Sequence, residues 1–191
     1  AAADTQKVYS GSGAFRMFHV GAMDWLPNTE ALQFFVRDIF PVLRARFPQL
    51  EFHAGGRHFN AEQLPRAEGV FYHGEIEDYT AFIADKHALV VPLLSGSGLR
   101  MKIPEAWAAG IPVLATPEAI RGLPAEPGLH YAAFRTAEDL IQLFEAHLND
   151  TAWWQHMALE GRKQVQACFS YQSLAKSIGL YLADVIRLDK K

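Results

Sequence analysis

The chain has 191 residues, half of them hydrophobic, with 18 Lys and Arg against 21 Asp and Glu and a formal net charge of −3. That length suits one globular domain with a sizeable core, and the charge balance excludes a broad nucleic-acid surface, which needs a basic excess. Cys168 is the only cysteine, which excludes an intrachain disulfide and makes a reducing, cytoplasmic setting the expectation.

The opening "AAADTQKVYSGSGA" (1–14) is small and polar and reads as a loose lead-in, or the cut end of a longer chain. No signal-peptide pattern is seen, and no apolar run approaches the roughly 18–20 residues of a membrane span. "FRMFHVG" (15–21) reads as a strand. "NTEALQFFVRDIFPVLRARF" (28–47) reads as a helix with Asn28 as its N-cap. Leu32, Phe35, Ile39, Val42 and Leu43 keep the helical period there, and Pro41 should kink the helix or end a turn. "LEFHAGG" (50–56) and "GVFYHG" (69–74) follow as strands, and "EDYTAFIADK" (77–86) as a short helix. "ALVVPLL" (88–94) is continuously apolar, as a strand buried on both faces should be. "IPVLAT" (111–116) and "LHYAAF" (129–134) complete six strands, and helices then dominate over 136–150, 151–169 and 170–191. The alternation predicts an α/β class fold: a doubly wound, Rossmann-like parallel sheet with helices on both faces, occupying 15–191 as one domain. Ligands in such sheets bind beyond the carboxyl ends of the strands.

The segment leaving the fourth strand is the informative one. In "LLSGSGLRMKIPEAWAAG" (93–110), Pro104 fits only the first turn of a helix, so the helix should begin near Ile103. A glycine-rich loop ahead of a helix presents unpaired N–H groups and partial positive charge, and Arg100 and Lys102 add two full charges. The combination suits a phosphate or diphosphate. Glu105 cannot favour the same anion and fits sugar hydroxyls instead. The same residues also fit a plain solvated loop with an ordinary acidic residue in the first helical turn. Other chemistries lack their patterns: Lys102 is not in a Walker A sequence, neither "GSG" forms a G-x-S-x-G elbow, and no Asp-x-Asp pair is present to hold a metal beside a diphosphate. His53 and His58 flank "AGGR" without a third convincing ligand and read as structural, and Trp153, Trp154 and Met157 read as core or interface rather than a cofactor box.

"PLLSGSGLRMKIPEAWAAGIPVLATPEAIRGL" (92–123) resembles the donor-binding motif of retaining glycosyltransferases with the GT-B fold, of the group 1, family 4 type. "FHVGAMDWLPNTEALQFFVRDIFPVL" (18–43), "FYHGEIEDY" (71–79) and "FSYQSLAKSIGLYLADVI" (169–186) extend the resemblance over about residues 15–188. It implies the donor-binding half of a two-domain enzyme, whose acceptor domain is not in this chain. By the same resemblance Arg100 and Lys102 stabilise the leaving diphosphate, joined by the backbone N–H groups of Gly98 and Leu99, and Ser97 lies on the substrate side near the transferred sugar. Glu105 holds the ribose hydroxyls, and Gly74, Glu75 and Ile76 border the nucleobase. Asn28, in the Pro-Asn turn, rims the same cleft. Two departures bear on sugar recognition: Ser97 stands where many relatives carry a second glutamate, and Ala22 and Pro27 stand where many carry an Arg and a Lys.

The implied activity is transfer of a hexosyl unit from a nucleoside-diphosphate sugar to a glycan or glycoconjugate, with retention and without a metal or cofactor, in polysaccharide biosynthesis. The isolated chain is expected to be inactive. The partners implied are the donor and the acceptor domain, with no nucleic acid. Peripheral membrane association of the full enzyme is a further expectation. So is self-association through the last helix, where Leu174, Ile178, Tyr181, Leu182 and Val185 share a face. A non-catalytic scaffold and a nucleotide-sugar epimerase are the competing readings. The intact Arg100–Lys102–Glu105 set separates the first of these from an enzyme.

Overall fold

Six apolar segments pair side by side into one sheet, all in parallel, in the order β3-β2-β1-β4-β5-β6. The computed structural model describes residues 9, 11–96 and 100–169. The strands are β1 (Phe15–Val20), β2 (Leu50–Gly55), β3 (Val70–Tyr72), β4 (Ala88–Val91), β5 (Val113–Ala115) and β6 (Ala132–Ala133). All six expected strands are present, and the order is that of a Rossmann-like doubly wound sheet. Between them lie α1 (Leu26–Phe34), α2 (Phe40–Arg46), α3 (Tyr79–Ile83), α4 (Lys102–Ala108), α5 (Pro117–Ile120), α6 (Ala137–His147) and α7 (Thr151–Phe169).

Period-2 alternation splits the core between two faces. Phe15, Met17, Leu50, Phe52 and Val90 pack with α1, α2, α6 and the start of α7 on one face. Phe18, Leu89, Val91 and Val113 pack with α4 on the other. Trp154 and Met157 are core, as expected, and Trp154 lies against Phe15 with ring centroids 4.9 Å apart. Trp153 is partly buried against the same core and stacks on His147 at 4.2 Å. Within the segment read as a loose lead-in, Tyr9 is buried and meets Phe15 edge-on. The helix expected over 170–191, with its apolar face, lies outside the described residues.

Two local expectations are corrected at α1. Asn28 is not its N-cap. The helix starts at Leu26 with Trp25 at the cap, because Pro27 is tolerated in a first turn that needs no N–H there. Asn28 therefore sits inside the first turn with its amide free for other work. Val42 does not face the core and is 49% exposed. A π-helical turn spans Phe35–Ile39, in which the N–H of Phe40 bonds to the carbonyl of Phe35, five residues back. The inserted residue rotates the remainder of the helix, so Phe40 and Leu43 are buried and Val42 turns outward. Pro41 supplies a cause: it offers no N–H, and its ring crowds the carbonyl four residues earlier.

Candidate functional site

The site is built where the loops after β1, β2 and β3 clasp one another at the carboxyl edge of the sheet. Gly21 N–H donates to the Gly55 carbonyl at 3.1 Å, and Gly56 N–H donates to the Gly74 carbonyl at 2.8 Å. Gly56 has φ +141°, and a Cβ there would run into the carbonyl oxygen of Gly21. The loop from β4 reaches the same edge, and α4 begins there at Lys102, within one residue of the start read from Pro104.

These loops enclose a cavity of about 490 Å³, within the usual range for a small-molecule site. Arg100, Lys102, Glu105, Asn28 and Ile76 all line it. Gly21, Trp25, Arg57 and Tyr79 line it as well. The cations and the carboxylate expected from the sequence are thus brought together, on the sheet edge where they were expected. Gly74 lies beside the cavity as the acceptor for Gly56, and a Cβ on Gly55 would meet the Ile76 side chain at 2.7 Å. Glu75 is exposed and is not among the lining residues. Ser97, Gly98 and Leu99 lie outside the described residues.

Lys102 is the centre of the polar network. Its Nζ donates to Asn28 Oδ1 at 2.8 Å and lies 3.3 Å from His19 Nε2. Asn28 Nδ2 in turn donates to the Ala22 carbonyl at 2.9 Å, which fixes the amide orientation. Burial pushes the Lys102 pKa down to about 7, against an upward pull from Glu105. A Cβ on Gly21 would fall 2.6 Å from Asn28 Nδ2 and 3.0 Å from Lys102 Nζ, so the ammonium reaches its seat only past a glycine. Arg100 is 6% exposed and its Nη2 donates to the Gly96 carbonyl at 2.7 Å, bracing the loop it belongs to. Tyr79 Oη is buried with no hydrogen-bond partner among the described residues, and burial, then Glu105, raises its pKa to about 12.

Sequence reasoning missed His19, Gly21, Trp25, Arg57 and Tyr79. Arg57 carried a signal, since it lies two residues past β2, at the edge where ligands bind. His19 carried none, because a histidine inside a strand pattern matches no motif. His53, read as structural, pairs with His73 across 2.9 Å and stacks on Phe71.

The order of strands and the all-parallel sheet with helices on both faces define a Rossmann-like domain, consistent with half of a GT-B fold. The chain belongs to the family Glycosyl transferases group 1, whose model matches residues 14–150. Among solved structures it is similar to Anabaena Alr3699/HepE in complex with UDP, at 16% identity and TM-score 0.70 over 91% of this chain and 50% of that one. It is similar to the C-terminal domain of the group 1 protein LpcC from Francisella tularensis, at 13% identity and TM-score 0.64 over 83% and 88%. It is also similar to sucrose-phosphate synthase from Thermosynechococcus elongatus, at 22% identity and TM-score 0.67 over 92% and 46%. The chain thus spans about half the length of the first and third of these. No curated protein matches it. Among the described residues no helix is long and apolar enough to cross a membrane.

Proposed function

We propose that the chain is the donor-binding half of a retaining, metal-independent glycosyltransferase that moves a hexosyl unit from a nucleoside-diphosphate sugar to a glycan or glycoconjugate. The observation that carries the reading is one cavity lined by Arg57, Arg100 and Lys102 together with Glu105. Three cations around a concave site suit a diphosphate, and a carboxylate among them suits hydroxyl donors rather than the anion. The UDP-bound HepE structure, alike in fold, supports the same class of ligand.

In this reading the cationic side chains and the N-terminal end of α4 stabilise the negative charge that builds on the departing nucleoside diphosphate. They supply the charge that a magnesium ion supplies in other sites. Glu105 accepts from the ribose hydroxyls, and Ile76 gives the nucleobase an apolar surface. The acceptor and its acid–base partner belong to a second domain, so this chain alone should bind the donor without transferring its sugar.

Calorimetry with UDP, GDP and the matching nucleosides tests the assignment. Lys102→Ala should weaken nucleoside diphosphate binding by about 1–3 kcal/mol, the usual range for a charge-assisted hydrogen bond, and leave the nucleosides unaffected. Glu105→Ala should weaken both ligand types. Equal losses with and without phosphate for Lys102→Ala would overturn the diphosphate assignment. A strict magnesium requirement would overturn the metal-independent mechanism.

A further inference from the structure

Resting on that diphosphate reading, the geometry points to His19 as a positioning residue for donor binding: its imidazole holds the Lys102 ammonium at the anion site through a lone pair that the sheet itself orients. His19 is fully buried near the end of β1. Alternation places it on the same side as Phe15 and Met17, where an apolar residue would satisfy the core. Its Nδ1 lies 2.8 Å from the carbonyl oxygen of Val90 on β4. A carbonyl only accepts, so Nδ1 carries the hydrogen and Nε2 is left as an acceptor. That acceptor faces Lys102 Nζ at 3.3 Å. Asn28 Oδ1 takes a second ammonium hydrogen, and its orientation is set by the Ala22 carbonyl. Two acceptors, each locked by a backbone carbonyl on a different element, leave the third hydrogen for a ligand in the cavity.

The charges around the pair set its working range. Glu105, one turn along α4, favours the ammonium, and the other cations lining the cavity are Arg57, two residues past β2, and Arg100 from the loop before α4. Tyr79 from α3 is neutral there. An imidazolium at His19 would turn an N–H toward the ammonium and undo the arrangement. Burial, then the Lys102 charge, hold the imidazole well below its ordinary pKa, so it stays an acceptor across the physiological range. Burial holds the Lys102 pKa down at about 7 in the unliganded site. A bound diphosphate favours its charged form, so binding should take up a proton, and losing the His19 lone pair should lower the pH at which the ammonium is lost.

UDP and uridine calorimetry across about pH 6 to 9 tests this on the wild type, His19→Leu and His19→Gln. The wild type should bind UDP with constant affinity below about pH 7 and progressively more weakly above it, with uridine flat throughout. His19→Leu should bind UDP about tenfold more weakly at neutral pH, with the fall beginning about one unit lower and uridine unchanged. His19→Gln, whose amide oxygen can take the place of Nε2, should stay within about threefold of wild type and keep its midpoint. Should His19→Leu not fold, His19→Asn carries the same prediction, because its shorter amide can keep the Val90 bond but cannot reach Lys102. A folded Leu or Asn variant with wild-type UDP affinity and pH midpoint would overturn the inference. So would a Gln variant that loses uridine binding as well. Lys102→Ala separates the two claims: UDP binding indifferent to it overturns the diphosphate reading, whereas sensitivity to Lys102 without sensitivity to His19 overturns only the positioning role.

Discussion

Two glycines at the carboxyl edge do different jobs, and the difference is testable. At Gly56 the backbone has φ +141° and the neighbour is the Gly21 carbonyl, a main-chain atom that cannot step aside. Gly56→Ala should therefore destabilise the fold by more than about 2 kcal/mol. At Gly21 the atoms a Cβ would meet belong to side chains, the amide of Asn28 and the ammonium of Lys102, so a methyl there displaces the ammonium's seat rather than the main chain. Gly21→Ala should cost less than about 1 kcal/mol of stability but weaken UDP binding about tenfold, because it unseats the ammonium. Urea denaturation alongside UDP calorimetry would read the two effects separately. A Gly21→Ala protein with unaltered UDP affinity would show that the seat of Lys102 is not used. Gly21 and His19 were invisible in the sequence for one reason. Their roles depend on β1 lying between β2 and β4, which no local pattern states. Arg100, Lys102 and Glu105 were legible because a loop, a proline and a helix start place them within six residues of chain.

At the scale of elements, strands were read more securely than helix phases. A strand such as β4 needs only an apolar run bounded by breakers, and its neighbours followed from alternation with helices. The first long helix shows where this stops. Its period was right up to Ile39 and again at Leu43, but the inserted residue in the π turn buried Phe40 and turned Val42 outward, and nothing before Pro41 announces the insertion. The same proline chemistry that begins α1 at Leu26 freed Asn28 from capping and gave its amide to Lys102. The phase shift is open to direct measurement. Phe40 is fully buried between Phe35 and Phe52, with ring centroids 6.1 and 5.9 Å away, whereas Val42 is 49% exposed. Phe40→Ala should cost about 3–5 kcal/mol, as removal of a core aromatic does, and Val42→Ala less than about 1 kcal/mol. Denaturation midpoints in the reverse order would mean that the helix runs through Pro41 without the π turn.

For the molecule as a whole, four histidines with lowered pKa values, His19, His53, His73 and His87, set how the fold responds to acid. Burial, with the charge of Lys86 next, lowers the His53 pKa to about 4. Burial, with Arg16 next, lowers His87 to about 4. His19 lies well below its ordinary value and His73 is lowered too, again first through burial. Each folded-state value is below the unfolded one near 6.5, so in the window between them the unfolded chain binds more protons. Stability contributed by these groups is fully present above about pH 6.5 and is lost as the pH falls toward 4. Glu51, Asp85 and Asp139, whose folded values are also lowered, act in the same direction but only at still lower pH, near the ordinary carboxylate range. Lys102 carries the same sign to the alkaline side, because its folded value of about 7 lies below that of a free lysine and the penalty for charging it fades as the pH rises. A carboxylate-only protein would hold its stability flat down to about pH 5. This chain should instead lose urea resistance steadily from about pH 6.5 downward, with a slope of at most about 1.4 kcal/mol per pH unit for each histidine kept neutral. His53→Gln should flatten the slope between about pH 6.5 and 4 and leave the carboxylate step below it in place. Equal urea midpoints at about pH 7 and 5 for the unaltered chain would mean that these imidazoles can be charged within the fold, and that their burial is far looser than their partners imply.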